Sequence, residues 1–489
     1  MACPVFAQDC LETHTVHLTH YAVNAYIVLV TNWVPQIASR AGPIYEAIAD
    51  DLAEAIANGR LRAGERLPTH RNLAQRLGVT IGTVTRAYAE AERRGVVEAT
   101  VGRGTFVKWP RASMSETRET ASEIVDLRSN YPALGASAVA LSEALGALSK
   151  DPSLATLLRY QEHAGLLRHR SAGAQLISRP GFDVQPERVL VTAGGQHAML
   201  IALLALTQPG DLVLTEELTY HGFKALAQRL KLRLHGLALD DEGLVPEAFE
   251  TACRTLTPRA LYCTPTLQNP TAVIMSEERR HRIGEIAARF GVTIIEDDIF
   301  GFLVPGRRPL AAFAEGKCCY ISSVSKSLAP GLRIGFVAVP QGETPRYAEA
   351  IRMTTWMAPP LIAEIVCRWI EDGTAERLME AQRAENAARI RIASEHLHRF
   401  VTPTHSSAYH LWMKLPAPWR ADRFQQEALT AGVALTTGEA FAVGVQPPEA
   451  VRVCVGAAAT RELLGQALSK VARLAASTEA ASEPALSIV

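Results

Sequence analysis

Ser322-Ser-Val-Ser-Lys326-Ser-Leu-Ala-Pro-Gly-Leu-Arg333 is the stretch on which the reading of this chain turns. It sets serines one and three residues before a lysine, a Pro-Gly turn after it and an arginine seven residues on. These residue types suit a phosphorylated aldehyde. The Lys326 amine can form a Schiff base with a carbonyl. Ser323, Ser325 and Arg333 offer hydroxyl donors and a two-pronged guanidinium to a phosphate. The run Cys318 to Ser322 reads as a short buried strand, which leaves Lys326 on the loop at its end. A plain surface Ser/Lys loop would not need the ordered Pro-Gly-Leu-Arg or the apolar run Ile334 to Val339 that follows it.

Outward from this stretch, from Asp126 onward, strand-like and helix-like segments alternate. Apolar runs recur at Val189–Thr192, Leu212–Thr215, Ala260–Cys263, Thr293–Glu296 and Cys319–Ser322, with helical patterns between several of them. Such alternation implies an α/β fold, a mainly parallel sheet with helices on both faces. A smaller α/β unit is expected from about residue 376 to 474. After Val189–Thr192 comes Ala-Gly-Gly-Gln-His and a long apolar helix, so backbone N–H groups at Gly195 and Gln196 and the helix dipole would make an anion site. Tyr220 follows one strand and can lay its ring over a flat ligand. Asn269 sits in a loop after another strand and can donate to a ligand oxygen. Asp297 ends a strand, where its carboxylate can keep a ring nitrogen protonated. Arg452 stands inside the apolar strand Val451-Arg-Val-Cys-Val455, a costly burial that calls for an anionic partner such as an α-carboxylate.

Across residues 126–474 this pattern resembles the fold type I pyridoxal-phosphate enzymes, the class I/II aminotransferases. The resemblance implies pyridoxal 5'-phosphate held as an aldimine on Lys326, with its phosphate at Gly195, Gln196, Ser323, Ser325 and Arg333. Tyr220 would stack on the ring, Asn269 would contact the phenolic oxygen and Asp297 would meet the ring nitrogen. Arg452 would clamp a substrate carboxylate. Tyr160, in Tyr-Gln-Glu-His-Ala-Gly165, matches a tyrosine that reaches the partner subunit's phosphate, which implies a homodimer. Three positions depart from the family pattern: His163 replaces a proline, Phe300 replaces a tyrosine that bonds the phenolic oxygen, and Ser406-Ser-Ala408 lacks a glycine pair. Phe300 would leave Asn269 as the main side-chain donor there, so that effector amines exchange readily while full transamination is weak.

Residues 31–108 carry a different signal. Ile44, Ile48, Leu52 and Ile56 recur every four residues on one helical face that ends near Asn58-Gly59. Thr69 is placed to cap a second helix over about 70–77. Gly78-Val79 then turns tightly, and Thr80 caps a third helix to about Arg94. Strands Val96–Thr100 and Thr105–Lys108 flank Val101-Gly-Arg-Gly104 as a hairpin. Helix, helix, tight turn, helix and two-stranded wing make a winged helix-turn-helix. Between Arg60 and Lys108 there are ten Lys/Arg and four Asp/Glu, a balance of 10 − 4 = +6 in a chain of formal net charge +0. A basic module of this shape is suited to DNA phosphates.

This module resembles the GntR family of bacterial transcription regulators, through Pro43-Ile-Tyr45, Leu67-Pro-Thr-His-Arg71, Leu77-Gly-Val-Thr80, Ala87-Tyr88 and Gly102-Arg-Gly-Thr-Phe-Val107. By that resemblance Arg71, Thr80, Ile81, Gly82 and Thr83 face the major groove of double-stranded operator DNA, and Gly102 and Arg103 at the wing tip reach the minor groove or the backbone. Ile81 stands where the family often has arginine; it cannot bond guanine but can touch a thymine methyl.

The remaining features set limits. At 489 residues the chain exceeds a single core, and 48% apolar with 20% charged residues describes a globular protein. Eight cysteines without a C-x-x-C pair suggest reduced thiols in a cytoplasmic protein, with neither a disulfide framework nor a zinc site. His14, His17 and His20 share a helical face but lack a completing ligand, so no metal site is expected. No apolar run is long enough to span a membrane. Residues 1–30 read as an extension, 109–125 as a polar linker and 475–489 as a disordered tail.

A GntR-type head on an aminotransferase-like body resembles the MocR subfamily of regulators. The resemblance implies a DNA-binding regulator that senses an amine, an amino acid or pyridoxal phosphate itself. The alternative is an active aminotransferase carrying a DNA-binding head.

Overall fold

The computed structural model describes residues 33–35, 43–57, 60–61, 65–94, 96–100, 104–107, 124–314, 316–402 and 404–477. Gly102, Arg103, the extension 1–30 with its three histidines and most of the linker and tail lie outside the described residues. The chain divides into two compact units, Met1–Ala121 and Ser122–Val489.

In the head, α1 (Ile44–Ala57) turns Ile48 and Leu52 fully inward, with Ile56 at the core's margin and Ile44 half exposed. Helix α2 (His70–Leu77) starts where Thr69 Oγ1 accepts from Asn72 N, and ends at Gly78 with φ +66°. That left-handed turn is open to glycine at little steric cost. Helix α3 (Ile81–Arg93) is capped by Thr80, whose Oγ1 accepts from Thr83 N at 3.2 Å. The buried Tyr88 donates its hydroxyl to Pro68 O at 2.9 Å, tying α3 to the turn before α2. Strands β1 (Val97–Thr100) and β2 (Gly104–Val107) pair antiparallel as the hairpin reading expects. The wing has a further edge: Leu67 N donates to Thr105 O and Val107 N to Glu65 O, so the residues before α2 extend the sheet. Three residues between a turn and a proline carry too little pattern to announce a strand.

The body opens with β3 (Val125–Asp126) and the helix Gly135–Leu148. Strands β4 (Val189–Thr192), β5 (Leu212–Glu216) and β6 (Arg233–Leu237) follow, then the small hairpin β7 (Leu239–Asp240) and β8 (Gly243–Leu244). The large sheet is completed by β9 (Ala260–Cys263), β10 (Thr293–Asp297), β11 (Cys318–Ser323) and β12 (Gly335–Ala338), in the order β4-β12-β11-β10-β9-β5-β6. All four residues of β4, β9 and β12 are buried, which is why these strands read as continuous apolar runs. The sheet is parallel except for β12, which runs antiparallel to both β4 and β11. Edge strand β6 alternates exposed and half-buried residues and gave no continuous run to find.

The smaller lobe packs helices Thr374–Leu397 and Arg461–Ala476 against each other, and its sheet of β13 (His410–Lys414), β16 (Ala450–Cys454) and β15 (Thr436–Thr437) is covered by the helix Ala421–Thr430. A short β14 (Val433–Ala434) in that lobe pairs in parallel with β3, so the residues that follow the linker are built into the smaller lobe. Among the described residues no helix is long and apolar enough to cross a membrane.

Candidate functional site

A cavity of about 150 Å³ lies at the carboxyl ends of β10 and β11, the edge of an α/β sheet where ligands are generally bound. Its lining brings together Gly195, Gln196, Tyr220, Asp297, Ser323, Ser325, Lys326 and Arg333, eight residues that the sequence nominated.

Lys326 is not on a loop, as expected, but in a one-turn helix, Val324–Ser327, capped by Ser323. The Ser323 oxygen accepts from Ser325 N at 3.2 Å, which turns the chain sharply at the strand end. Lys326 Nζ donates to Asn130 O at 2.5 Å. Burial, with Arg452 and Arg333 nearby, brings the ammonium down to about 8, so near neutral pH a usable fraction is the nucleophilic amine.

Asp297 closes β10 with one oxygen satisfied and one not. Oδ2 accepts from Tyr262 Oη at 2.7 Å, while the buried Oδ1 has no partner among the described residues. Burial pushes its carboxyl up to about 6, against the Tyr262 bond. An orphaned carboxylate oxygen of this kind is an acceptor for a cationic N–H on a ligand.

At the other end of the cavity the backbone forms a cradle. The helix Gly195–Leu206 begins without a side-chain cap, leaving its first-turn N–H groups available to an anion. Gly194 has φ +90°, and a Cβ there would stand 2.7 Å from Arg333 Nη2. Arg333 itself has φ +50° and donates to Ala193 O at 3.1 Å and Ser325 Oγ at 3.4 Å. Ser323 and Ser325 oxygens are 3.0 Å apart. Two hydroxyls, a guanidinium and a helix N-terminus thus converge on one spot. The Tyr220 ring is held close by Gly222, where an added Cβ would lie 2.4 Å from it.

Three nominated residues stand outside the cavity lining. Arg452 donates from Nη1 to Asn269 Oδ1 and from Nη2 to Arg128 O, each at 2.6 Å. Its guanidinium carbon lies 4.8 Å from the Phe441 ring centroid, and its buried Nε–H has no partner among the described residues. The buried charge therefore rests on neutral acceptors and retains one unpaired donor, which suits a carboxylate. The bond from Arg452 fixes the Asn269 amide with its nitrogen as the remaining donor. Tyr160 is 82% exposed and meets Trp356 edge-on at 5.9 Å, away from its own chain's cavity lining. His163 Nδ1 lies 2.8 Å from Trp356 O. Phe300 is also outside the lining: its buried ring packs 5.7 Å from His410 and 5.9 Å from Tyr409.

Sequence reasoning passed over Asn130, Gly194, Tyr262 and His410. His410 Nε2 faces Gln268 O at 3.1 Å, and a carbonyl only accepts, so Nε2 carries the proton and Nδ1 accepts from Asn130 Nδ2 at 3.2 Å. Burial holds the His410 ring far below its usual range, at about 3, so this arrangement stays neutral. Only Gly194 had a local signal, the glycine pair before an apolar helix.

In the head, Arg71 is exposed in the first turn of α2, and Ile81 and Gly82 are exposed at the start of α3. The Thr80 and Thr83 hydroxyl oxygens are 2.9 Å apart and occupied in the helix cap. Thr80 is thereby part of the frame that presents Ile81.

Two family descriptions match the chain: "Aminotransferase class I and II" over residues 122–471, and "Bacterial regulatory proteins, gntR family" over residues 44–107. The HTH-type transcriptional regulator YdeF of Bacillus subtilis is 31% identical over 458 residues, covering 92% of this chain and 98% of that one. The regulatory protein MocR of Rhizobium meliloti is 26% identical, covering 68% of this chain and 72% of that one. Among solved structures, a kynurenine aminotransferase of Pyrococcus horikoshii superposes with TM-score 0.68 at 22% identity, covering 73% of this chain and 91% of that one; the likeness is one of fold.

Proposed function

The chain belongs to the aminotransferase class I and II family, joined to a gntR-family module, and from that premise we propose that it is a transcription regulator: its head binds double-stranded operator DNA, and its body binds pyridoxal 5'-phosphate and an amine or amino-acid effector. One observation carries the reading. The unpartnered Asp297 Oδ1, the Lys326 amine and the Gly194–Arg333 cradle border a single cavity, and they match the three functional ends of this cofactor.

The residues fit the group. When bound, pyridoxal phosphate supplies an aldehyde that links to a primary amine and a ring that withdraws electrons. Lys326 is the amine for that linkage. Asp297 accepts a hydrogen bond from the protonated ring nitrogen and so keeps the proton on it, supported by Tyr262. Gly195, Gln196, Ser323, Ser325 and Arg333 bind the phosphate, and Tyr220 covers the ring. Asn269 offers its amide nitrogen, and Arg452, held by Asn269 and Arg128, offers Nε–H to an effector carboxylate. Arg71 and the start of α3 meet base edges, and Arg103 supplies charge.

We further read the protein as a homodimer. Leu158, Tyr160, Met353 and Trp356 are large apolar residues left 70%, 82%, 62% and 45% exposed, and a second copy is the expected cover. A cytoplasmic location follows from operator binding.

A working aminotransferase is the second reading, favoured by the presence of both Lys326 and a carboxylate-binding Arg452. One experiment separates the two. Purified protein is given pyridoxal phosphate, its visible absorbance and operator affinity are followed through a panel of amino acids and amines, and keto-acid-dependent turnover is measured alongside. An effector that perturbs the absorbance and shifts operator affinity, with turnover slow or absent, supports the regulator. Sustained turnover with operator affinity unmoved by any compound overturns it.

A further inference from the structure

A second cavity, of about 650 Å³, opens where the two lobes of the body meet. Glu217, Leu218, Leu239 and Asp241 border it from the large-sheet side, and Trp412 and Glu449 from the smaller lobe. None of its lining residues borders the Lys326 cavity. The volume is that of a site for a small organic molecule, and junctions between lobes are a common place for one.

The lining combines two features that together select a ligand. Its floor is apolar, with Leu218 and Trp412 buried and Leu239 half-buried. Its rim is acidic: Glu217, Asp240, Asp241 and Glu449 stand against the single ammonium of Lys414. His405 adds no charge at neutral pH, because burial and Arg307 hold it below its usual range. Asp240 is paired with Arg279, and Glu449 accepts from Ala421 N. Glu217 and Asp241 have no cationic partner among the described residues, and Glu217 is satisfied only by Leu239 N at 3.2 Å. A small hydrated metal ion would gain nothing from the tryptophan and the aliphatic wall, and an anion would be repelled. A weakly hydrated organic cation gains from both.

We propose that this cavity is a binding site for an organic cation with an apolar body, separate from the Lys326 site. The ligand touches both lobes, so it favours the arrangement in which they are apposed. Its effect also reaches the carboxylate-binding arginine. Trp412 meets Phe441 edge-on at 6.1 Å, Phe441 lies 4.8 Å from the Arg452 guanidinium, and Trp412 and Arg452 are directly paired across β13 and β16. Occupancy here and carboxylate binding at Arg452 are therefore coupled, each changing the other's affinity by the same factor.

The test uses the full chain and benzyltrimethylammonium, whose quaternary nitrogen cannot link to an aldehyde. Titration calorimetry should show saturable binding at one site per chain, retained in Lys326→Ala. The pair Glu217→Gln with Asp241→Asn should weaken it tenfold or more, and Trp412→Leu should weaken it while Trp412→Phe retains most of it. Benzyl alcohol, with a similar aromatic body and no charge, should bind at least tenfold more weakly. Because Asp241 is exposed, Asp241→Asn alone should fold normally and still weaken binding. Absence of saturable binding, loss of binding in Lys326→Ala, equal binding of benzyl alcohol, or affinity unchanged by Asp241→Asn and the double variant would each overturn the proposal.

Discussion

Lys326 Nζ and Asn130 O are 2.5 Å apart, and the Asn130 side chain is fixed by His410 at 3.2 Å. The residue that accepts from the amine is thus anchored through its side chain, and the His410 ring that anchors it is itself held by Gln268. Tyr409 Oη adds a bond to the Lys326 carbonyl at 2.5 Å, so both ends of the residue are positioned.

The first expected outcome concerns pH. With the ammonium brought down to about 8, the neutral amine falls tenfold for each unit below that value and is nearly complete above it. The rate at which cofactor-free protein captures pyridoxal phosphate should rise about tenfold from pH 6 to 7 and level off above about 8. Stopped-flow absorbance measures this. Lys326→Ala should abolish the band that borohydride reduces; persistence of that band would place the linkage on another lysine.

Gly194 should resist substitution for two independent reasons. Its φ of +90° strains any L side chain, at about 1–3 kcal/mol, and a Cβ would displace Arg333. Gly194→Ala should lower cofactor affinity at least tenfold in equilibrium titrations. Unchanged affinity would show that the phosphate sits elsewhere.

Glu216 makes stability depend on pH. This buried carboxyl is pushed by desolvation from its ordinary 4.5 up to about 7. The folded state therefore keeps a proton that the unfolded chain releases, and stability is lost as pH rises from about 4.5 through about 7. The loss is on the order of 3 kcal/mol for this group. Glu216→Gln should flatten the fall in Tm between pH 5 and 8. An equally steep fall would assign the dependence to Glu296 or Asp297, which burial shifts in the same direction.

Arg71 should discriminate bases. It is exposed on α2, and Arg71→Ala should cost about 1–3 kcal/mol on the operator and less on random DNA. An equal loss on both would reduce it to a phosphate contact.

What was legible beforehand was local. The caps at Thr69 and Thr80, the apolar runs of β4, β9 and β10, and the spacing around Lys326 each lie within a dozen residues, where periodicity and residue chemistry speak directly. The hydrogen bond between Arg452 and Asn269 joins positions 183 apart in sequence, and that between Lys326 and Asn130 joins positions 196 apart; no window along the chain contains either. Strand β6 hid because half of it faces outward, and the reversed direction of β12 hid because burial looks the same in both directions. Phe300 packs against Tyr409 and His410, which lie more than a hundred positions away along the chain, beyond the reach of any local motif.

Strand β3 joins the start of the body to its smaller lobe. Val125 N bonds Gly432 O and Leu127 N bonds Ala434 O, while Arg128 O receives the Arg452 guanidinium two residues before Asn130 receives Lys326. The segment Val125 to Asn130 is thus held by the smaller lobe through β14 while two of its carbonyls receive the Arg452 guanidinium and the Lys326 amine, so one six-residue stretch joins that lobe to both cations.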